Sequence, residues 1–431
     1  MRGSSLRALG RWWHVAARRR ALTALAAPSA TGDDGAPWST WLDSTVAELD
    51  AQKLLRALDP VSPVDGNNAR VLRGGRTLTV AASNDYLGLS AHPRVRAAAA
   101  AAASAHGSGP RSSAHVCGHT EAHRRLELAL AALKATEAAV LFPTGFAANL
   151  AVLSALASPS TAIFSDALNH ASIVDGARLA ARSGATVHVY RHADLDHLES
   201  LLRTSASARK LIVSDSLFSM DGDVADCAGL ATLRDRYGAL LVLDEAHATL
   251  VYGERGGGVA EAHGVEHKVD VHVGTLSKAF GAFGGFVGCT RQMRGLLLSR
   301  GRAGIYSTAL PAPAVAAAAA AIGEATPELR AALWDTVRAF GAAARLGPGL
   351  PSPIVPIVVG SETAALDAAG KMLRAGYLVP AIRPPTVPRG SARLRVALSA
   401  ALEPRDVEGL ARALDEEGVL DAAARARAAQ S

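Results

Sequence analysis

The sequence predicts an α/β fold: a mostly parallel central sheet with helices on both faces, followed by a smaller C-terminal α+β domain. Three observations carry this. Between residues 139 and 273 six short apolar runs alternate with stretches of helix length, the rhythm of a parallel sheet. Polar residues able to do chemistry recur just after those runs, where open α/β sheets bind ligands. From Pro313 the chain changes style, to an Ala-rich helix, short strands and a terminal helix. At 431 residues it has length enough for two or three domains, and no internal repeat is visible.

Taken in order, residues 1–35 differ from the rest. They hold Arg2, Arg7, Arg11, Arg18, Arg19 and Arg20, with Trp12 and Trp13 between, and no acid before Asp33. Arg-rich, acid-free and Ser-containing is the composition of an organellar transit peptide, addressed to a mitochondrion or plastid. A disordered basic tail on a cytosolic or peroxisomal protein is the alternative. Residues 36–80 read as a helix and an extended arm. Trp38, Trp41, Leu42, Val46, Leu49, Leu54, Leu55 and Leu58 suit an amphipathic helix closed by Pro60 and Pro63, and Thr77–Val80 an extended piece.

A large domain is expected over 81–312. It opens on the polar turn Ser83-Asn-Asp-Tyr-Leu-Gly-Leu-Ser90, a helix near His92-Pro93, a Gly/Ser-rich loop from Gly107 to Glu121, and a helix holding Leu126, Leu128, Leu130 and Leu133. The expected strands are Ala139–Phe142, Thr161–Phe164, Thr186–Tyr190, Leu211–Val213, Ala239–Leu243 and Val269–Val273, with helices such as Gly145–Ala157 and Ser172–Arg182 between them. The C-terminal domain, 313–431, has strands at Ile354–Val359 and Arg393–Leu398 and a helix from Pro404.

Composition excludes several classes. Hydrophobic residues make up 49% and aromatics 4%, so the core is built from Ala, Leu and Val. The net charge is +6 and the pI near 9.5, but the basic residues are scattered arginines. No Lys/Arg block interleaved with aromatics follows residue 20, so a nucleic-acid interface is not expected. Cys117, Cys227 and Cys289 form no CxxC pair, which argues against a disulfide framework or a zinc site. No run approaches the roughly 20 apolar residues of a membrane span.

Four strand ends carry chemistry. Val269–Val273 leads into Gly274-Thr-Leu-Ser-Lys278-Ala-Phe-Gly, a turn with one lysine. The chain holds six lysines against 39 arginines, so a lysine kept here points to what only an amine does: lose a proton and form a Schiff base. Ala239–Leu243 ends in Asp244-Glu-Ala-His247, and a carboxylate at a buried strand end needs a cation, such as a protonated pyridine nitrogen. Thr144-Gly145 opens a helix directly after a strand, where free N–H groups face an anion such as a phosphate. His170, just before a helix, either stacks on a flat ring or caps the helix. An amine, an acid for a pyridinium, a phosphate cradle and a ring-stacking histidine are together the parts of a pyridoxal phosphate (PLP) site.

On these motifs the chain resembles the α-oxoamine synthases from about Ser83 to Leu402. The match includes Asn84-Asp-Tyr-Leu-Gly-Leu, Thr144-Gly-Phe-Ala-Ala-Asn149, Asp166-Ala-Leu-Asn-His-Ala-Ser172, Phe218-Ser-Met-Asp-Gly-Asp223, Asp244-Glu-Ala-His247 and Gly274-Thr-Leu-Ser-Lys278. The stretch Ala381–Gly390 and Ala392–Ala400 is similar to the plant-type branch that makes a biotin precursor. The resemblance implies the PLP-dependent transferase fold of type I, with Lys278 joined to PLP, His170 on the ring and Asp244 on its nitrogen. It further implies Ser219 and His247 near the ring hydroxyl, and Gly145, Phe146, Thr275 and Ser277 around the phosphate. Thr308 would reach the phosphate of a neighbouring subunit in a homodimer. Asn84 and Arg395 would bind the amino acid carboxylate, with Arg393 competing for that role.

The reaction implied is condensation of L-alanine with a pimeloyl thioester, on CoA or a carrier protein, with loss of carbon dioxide. Branches using glycine and a shorter acyl-CoA (glycine C-acetyltransferase, 5-aminolevulinate synthase) are the alternative, and a non-catalytic partner subunit is the second. Two positions depart from the branch: Asp244-Glu245 replaces the usual Asp-Asp, and Ala248 follows His247 where glycine is usual.

Overall fold

The computed structural model describes residues 37–428 apart from 65, 67 and 348. The expected targeting segment, 1–35, lies outside the described residues. The first helix, α1 (Trp38–Ala51), buries none of its side chains, and Trp38 is 77% exposed. It stops seven residues before the expected end at Leu58. Lys53 turns left-handed (φ 57°), its N–H bonds the carbonyl of Asp50, and the Leu54 N–H reaches back to Leu49. That is a Schellman ending, and it halts the helix whatever the apolar spacing beyond it.

The arm holds a hairpin: β1 (Arg70–Arg73) and β2 (Arg76–Val80) join through Gly74 and Gly75, both at positive φ. Such a two-residue turn needs left-handed backbone at both positions, which glycine adopts freely. β2 also pairs in parallel with Tyr377–Leu378, so the arm shares a sheet with the C-terminal part of the chain.

The chain then runs through α2 (Pro93–His106), α3 (Glu121–Leu133), β3 (Ala138–Phe142), α4 (Gly145–Leu156), β4 (Thr161–Asp166), α5 (Ala171–Arg182), β5 (Thr186–Tyr190), α6 (Leu195–Thr204), β6 (Arg209–Asp215), α7 (Cys227–Tyr237), β7 (Leu240–Asp244) and β8 (Val271–Thr275). After β9 (Gly285–Cys289) come α8 (Arg291–Arg300), α9 (Ala312–Glu324), α10 (Pro327–Ala343), β10 (Ile354–Gly360), α11 (Glu362–Arg374), β11 (Ala392–Ala397), α12 (Pro404–Glu416) and α13 (Val419–Ala428). The expected strands are present, and β4, β6 and β8 run on to Asp166, Asp215 and Thr275. β9 was not anticipated. Its Gly285-Phe-Val-Gly-Cys289 merges with the glycine-rich turn before it, so composition alone reads as loop.

The seven-stranded sheet has the order β3-β9-β8-β7-β6-β4-β5, parallel except for β9, which runs antiparallel to both neighbours. Both faces are covered. Leu241, Leu243, Phe164, Ile212 and Phe286 point into one core, while Val242, Val271, Val273, Ile163 and Val213 point into the other with α4 and α5. Burial on both faces makes these strands near-continuous apolar runs. Each fully buried Phe or Leu contributes about 1.5–3 kcal/mol.

A third core gathers Val337, Phe340, Val355, Ile357, Leu394, Val396 and Leu410, with Ala81 of the arm. Along α10 the packing changes over, Leu333 belonging to the large core and Val337 to the third, while Trp334 packs against both. The Ala-rich α9 belongs to the large core because its small side chains let it lie closely against α2 and α3.

Candidate active site

β8 delivers the lysine turn. Leu276 is fully buried and its N–H bonds the Gly284 carbonyl, while Ala282 N–H returns to Leu276 and Gly281 N–H to Lys278. Gly281 lies at φ +60°, and a Cβ there would sit 2.1 Å from the backbone nitrogen of Ser90. The turn is thus docked on the Leu89–Ser90 backbone, a contact only glycine permits. Lys278 is half-buried, and its Nζ makes no hydrogen bond to a described residue. Burial, helped by the Arg395 charge, pushes its pKa down to about 8, against the pull of Asp244 and Asp215. A cation in a poorly solvated place gives up its proton more easily.

Asp244 ends β7. Its Oδ2 accepts from Asn149 Nδ2 at 2.6 Å, and its Oδ1 from the Ala246 N–H at 2.8 Å. Asn149 is itself tied to Ser172 Oγ at 2.8 Å, so α4 and α5 both fix the carboxylate. Next in the chain, Glu245 is fully buried and faces away into a network. Lys134 Nζ donates to Glu245 Oε2 at 2.9 Å, to Thr249 Oγ1 at 2.8 Å and to the Gly257 carbonyl. His272 Nδ1 lies 2.8 Å from the same Oε2. Burial opposes its ionisation, but the Lys134 charge and the His272 hydrogen bond outweigh it and hold Glu245 at about 2.

His170 caps α5, one of the two roles expected of it. Its Nδ1 lies 2.7 Å from Ser172 Oγ and accepts from the Ser172 N–H, capping α5. That leaves the ring faces and Nε2 uncommitted, with Phe146 edge-on at 6.2 Å. Burial holds the imidazole below its ordinary pKa, helped by Lys278 and opposed by Asp244, so the ring stays neutral. His247 is buried, with Nδ1 2.7 Å from Tyr86 Oη, and burial together with Lys278 and Arg395 keeps it well below the ordinary value.

The α4 N-terminus lies alongside. Thr144 caps it by accepting the Ala147 N–H, which leaves the Gly145 and Phe146 N–H groups outside the helical pattern. Thr275 Oγ1 lies 2.8 Å from Ser277 Oγ and donates to the Gly284 carbonyl. A Cβ on Gly145 would meet Thr275 Cβ at 3.2 Å, so the two walls of this cradle are close.

The two arginines of β11 differ in one decisive way. Arg393 is committed to Asp221 Oδ1 at 2.6 Å and to the Met220 carbonyl. Arg395 has no carboxylate partner among the described residues. It donates to the Ser219 carbonyl, to Asn84 Oδ1 at 3.2 Å from both Nη atoms, and to Tyr86 Oη. Its charge is left for a ligand. Ser219 enters the site through that carbonyl.

Thr308 is set apart from this cluster. It is exposed, bridged to Ser113, and lines a separate cavity of about 210 Å³ with His115, His119 and His123. Residues that sequence reasoning left unassigned are Asn149, Tyr86 and Asp215. The first two lay inside quoted motifs, and Asp215 repeats the apolar-run-then-Asp pattern of Asp244.

The residues fit pyridoxal phosphate. An unbonded amine of low pKa suits its aldehyde, an anchored carboxylate its ring nitrogen, and the free N–H groups at Gly145 and Phe146 its phosphate. Among the described residues no His, Cys, Asp and Glu cluster could hold a metal ion, and no helix is long and apolar enough to cross a membrane.

Comparisons agree with this geometry. Residues 77–414 match the family described as aminotransferase class I and II. The chain is 50% identical over 356 residues to an 8-amino-7-oxononanoate synthase of Arabidopsis thaliana, covering 79% of this chain and 74% of that one. It is 49% identical over 380 residues to the same-named protein of Anaeromyxobacter sp. (strain K), covering 87% and 94%. Serine palmitoyltransferase from S. paucimobilis, solved with PLP and myriocin bound, superposes with a TM-score of 0.83 at 27% identity, covering 89% and 98%.

Proposed function

From the premise that the chain belongs to the class I and II aminotransferases, and within them to the 8-amino-7-oxononanoate synthases, we propose how its residues divide the work. The reaction joins L-alanine to a pimeloyl thioester and releases carbon dioxide and the thiol. PLP is the cofactor, and when bound it supplies an electron sink for the carbanion at the amino-bearing carbon. Lys278 Nζ would hold the cofactor and, as a free amine, would take the α-proton. Asp244, fixed by Asn149 and Ala246, keeps a proton on the ring nitrogen. His170 would lie against the ring, and His247 and Ser219 would serve its hydroxyl. Gly145, Phe146, Thr275 and Ser277 hold the phosphate. Arg395, with Asn84, binds the alanine carboxylate, since a planar guanidinium matches it in two places.

The observation that carries this reading is the pairing of a low-pKa amine with a buried guanidinium that, among the described residues, no acid neutralises. The test is product formation by PLP-loaded protein given L-alanine or glycine, each with pimeloyl-CoA or a short acyl-CoA. Turnover of alanine with pimeloyl-CoA is expected. Glycine turnover with a short acyl-CoA alone would move the enzyme to the glycine-using branches.

Thr308, exposed and lining a separate cavity, supports a homodimer in which it serves the partner's phosphate. Sedimentation at micromolar concentration tests this, and a monomer with full activity would sink it. Residues 1–35 are read as an organellar address. A fluorescent protein fused behind them that stays cytosolic would reject that.

A further inference from the structure

Three neighbouring strands, in the order β7-β6-β4, each end in an aspartate: Asp244, Asp215 and Asp166. All three are buried, and Asp215 and Asp244 are direct partners in register. Of the two outer acids, Asp166 has a counter-charge within the chain. Asp166 Oδ1 lies 2.9 Å from His192 Nδ1, and the other ring nitrogen, Nε2, lies 2.8 Å from Asp223 Oδ2. With a carboxylate at each nitrogen both must donate, so His192 is a cation; the Asp166 and Asp223 hydrogen bonds push it up to about 10. Asp244 has two N–H donors and is offered to the cofactor's ring nitrogen.

The middle acid has none. The Oδ2 of Asp215 accepts one neutral donor, the backbone N–H of His170 at 2.8 Å, and no cationic side chain bonds it. The contact is reciprocal, because the Asp215 N–H donates to Asn169 Oδ1 at 2.8 Å. Asp215 and the Asn169-His170 loop therefore hold each other. The charged groups facing Asp215 are Asp244 on β7, Asp166 on β4 and Lys278 in the turn after β8. Neighbouring buried carboxyls without a cation between them do not all ionise.

We propose that Asp215 is a positioning residue that works in its neutral, protonated form, fixing the His170 backbone while leaving Asp244 the one anion offered to the ring nitrogen. This rests on the PLP reading of His170 and Asp244. Burial, then the Asp244 charge, raises the Asp215 carboxyl well above the usual carboxylate range, against the pull of the His170 N–H and Lys278. A proton kept there lets two buried aspartates sit in register on neighbouring strands.

The test uses the holoenzyme and two variants, D215N and D215A. The infrared difference spectrum between wild type and D215N at neutral pH should contain the C=O stretch of a protonated carboxyl, moving in D₂O. Carboxylate bands in its place would overturn the proposal. In steady state, D215A should lower kcat about tenfold, as expected when a buried N–H loses its acceptor, and D215N should recover most of that loss. A D215N variant as impaired as D244N, or a D215A variant equal to wild type, would also overturn it. The infrared measurement needs no turnover, so it answers even if the substrate reading fails.

Discussion

The low pKa of Lys278 can be tested without any substrate. A side-chain amine of pKa 10.5 is unprotonated at pH 7 about once in 3,000 molecules, whereas at about 8 the fraction is about one in ten. The site therefore raises the free amine roughly 300-fold. The chain's six lysines make this measurable: competitive acetylation of the cofactor-free enzyme, read peptide by peptide, compares Lys278 with exposed Lys53 in the same tube. Corrected for access, Lys278 labelling should climb to a plateau just above pH 8. Because the Asp244 charge pulls the amine up, D244N should move the plateau to lower pH. If Lys278 labelling still rises tenfold per unit at pH 10, burial does not set this amine and the account of the turn is wrong.

Further outcomes follow from the same contacts. R395Q should raise KM for the amino acid about 10- to 150-fold, the worth of a charge-assisted hydrogen bond, while R393Q should chiefly lower stability, because its charge is already spent on Asp221. Equal KM effects from both would remove the distinction. N149L, which strips Asp244 of its 2.6 Å donor, should weaken PLP binding about tenfold in equilibrium dialysis. K134M should cost about 3–5 kcal/mol, since it leaves Glu245 buried without its lysine, and calorimetry should show a lower melting temperature. Glu245 is depressed in the fold, from 4.5 to about 2, so its contribution is complete above pH 4.5 and fades as pH falls toward 2. K134M should flatten that acid limb, and an unchanged limb would refute the assignment.

Much of the site was legible because its residues sit at strand ends, where apolar runs stop at a polar residue. Lys278, Asp244, His170 and Gly145 follow that rule, and the sheet that aims them was readable from the runs themselves. Three things were not. The choice between Arg393 and Arg395 depends on which one meets Asp221, a residue some 170 positions away. Asn149 reads as one more polar residue in a helix until α4 is set beside β7. Glu245 stands in the sequence only as a change from the usual Asp-Asp pair, and its bond to Lys134 shows only in the fold. The helix end at Ala51 was missed because apolar spacing continued past a backbone reversal that spacing does not report.

The arm's strand pairing has a consequence for how the protein is made. β2 leaves the ribosome early, but its partner Tyr377–Leu378 emerges about 300 residues later, since Thr79 pairs with Tyr377. At 5–20 residues per second that is a wait of roughly 15–60 s. For that interval the hairpin presents an open edge, the surface on which nascent chains pair wrongly. Arg76 begins that strand, and like charges there disfavour edge-to-edge pairing of neighbouring chains. Only when Tyr377–Leu378 is made can that edge be covered.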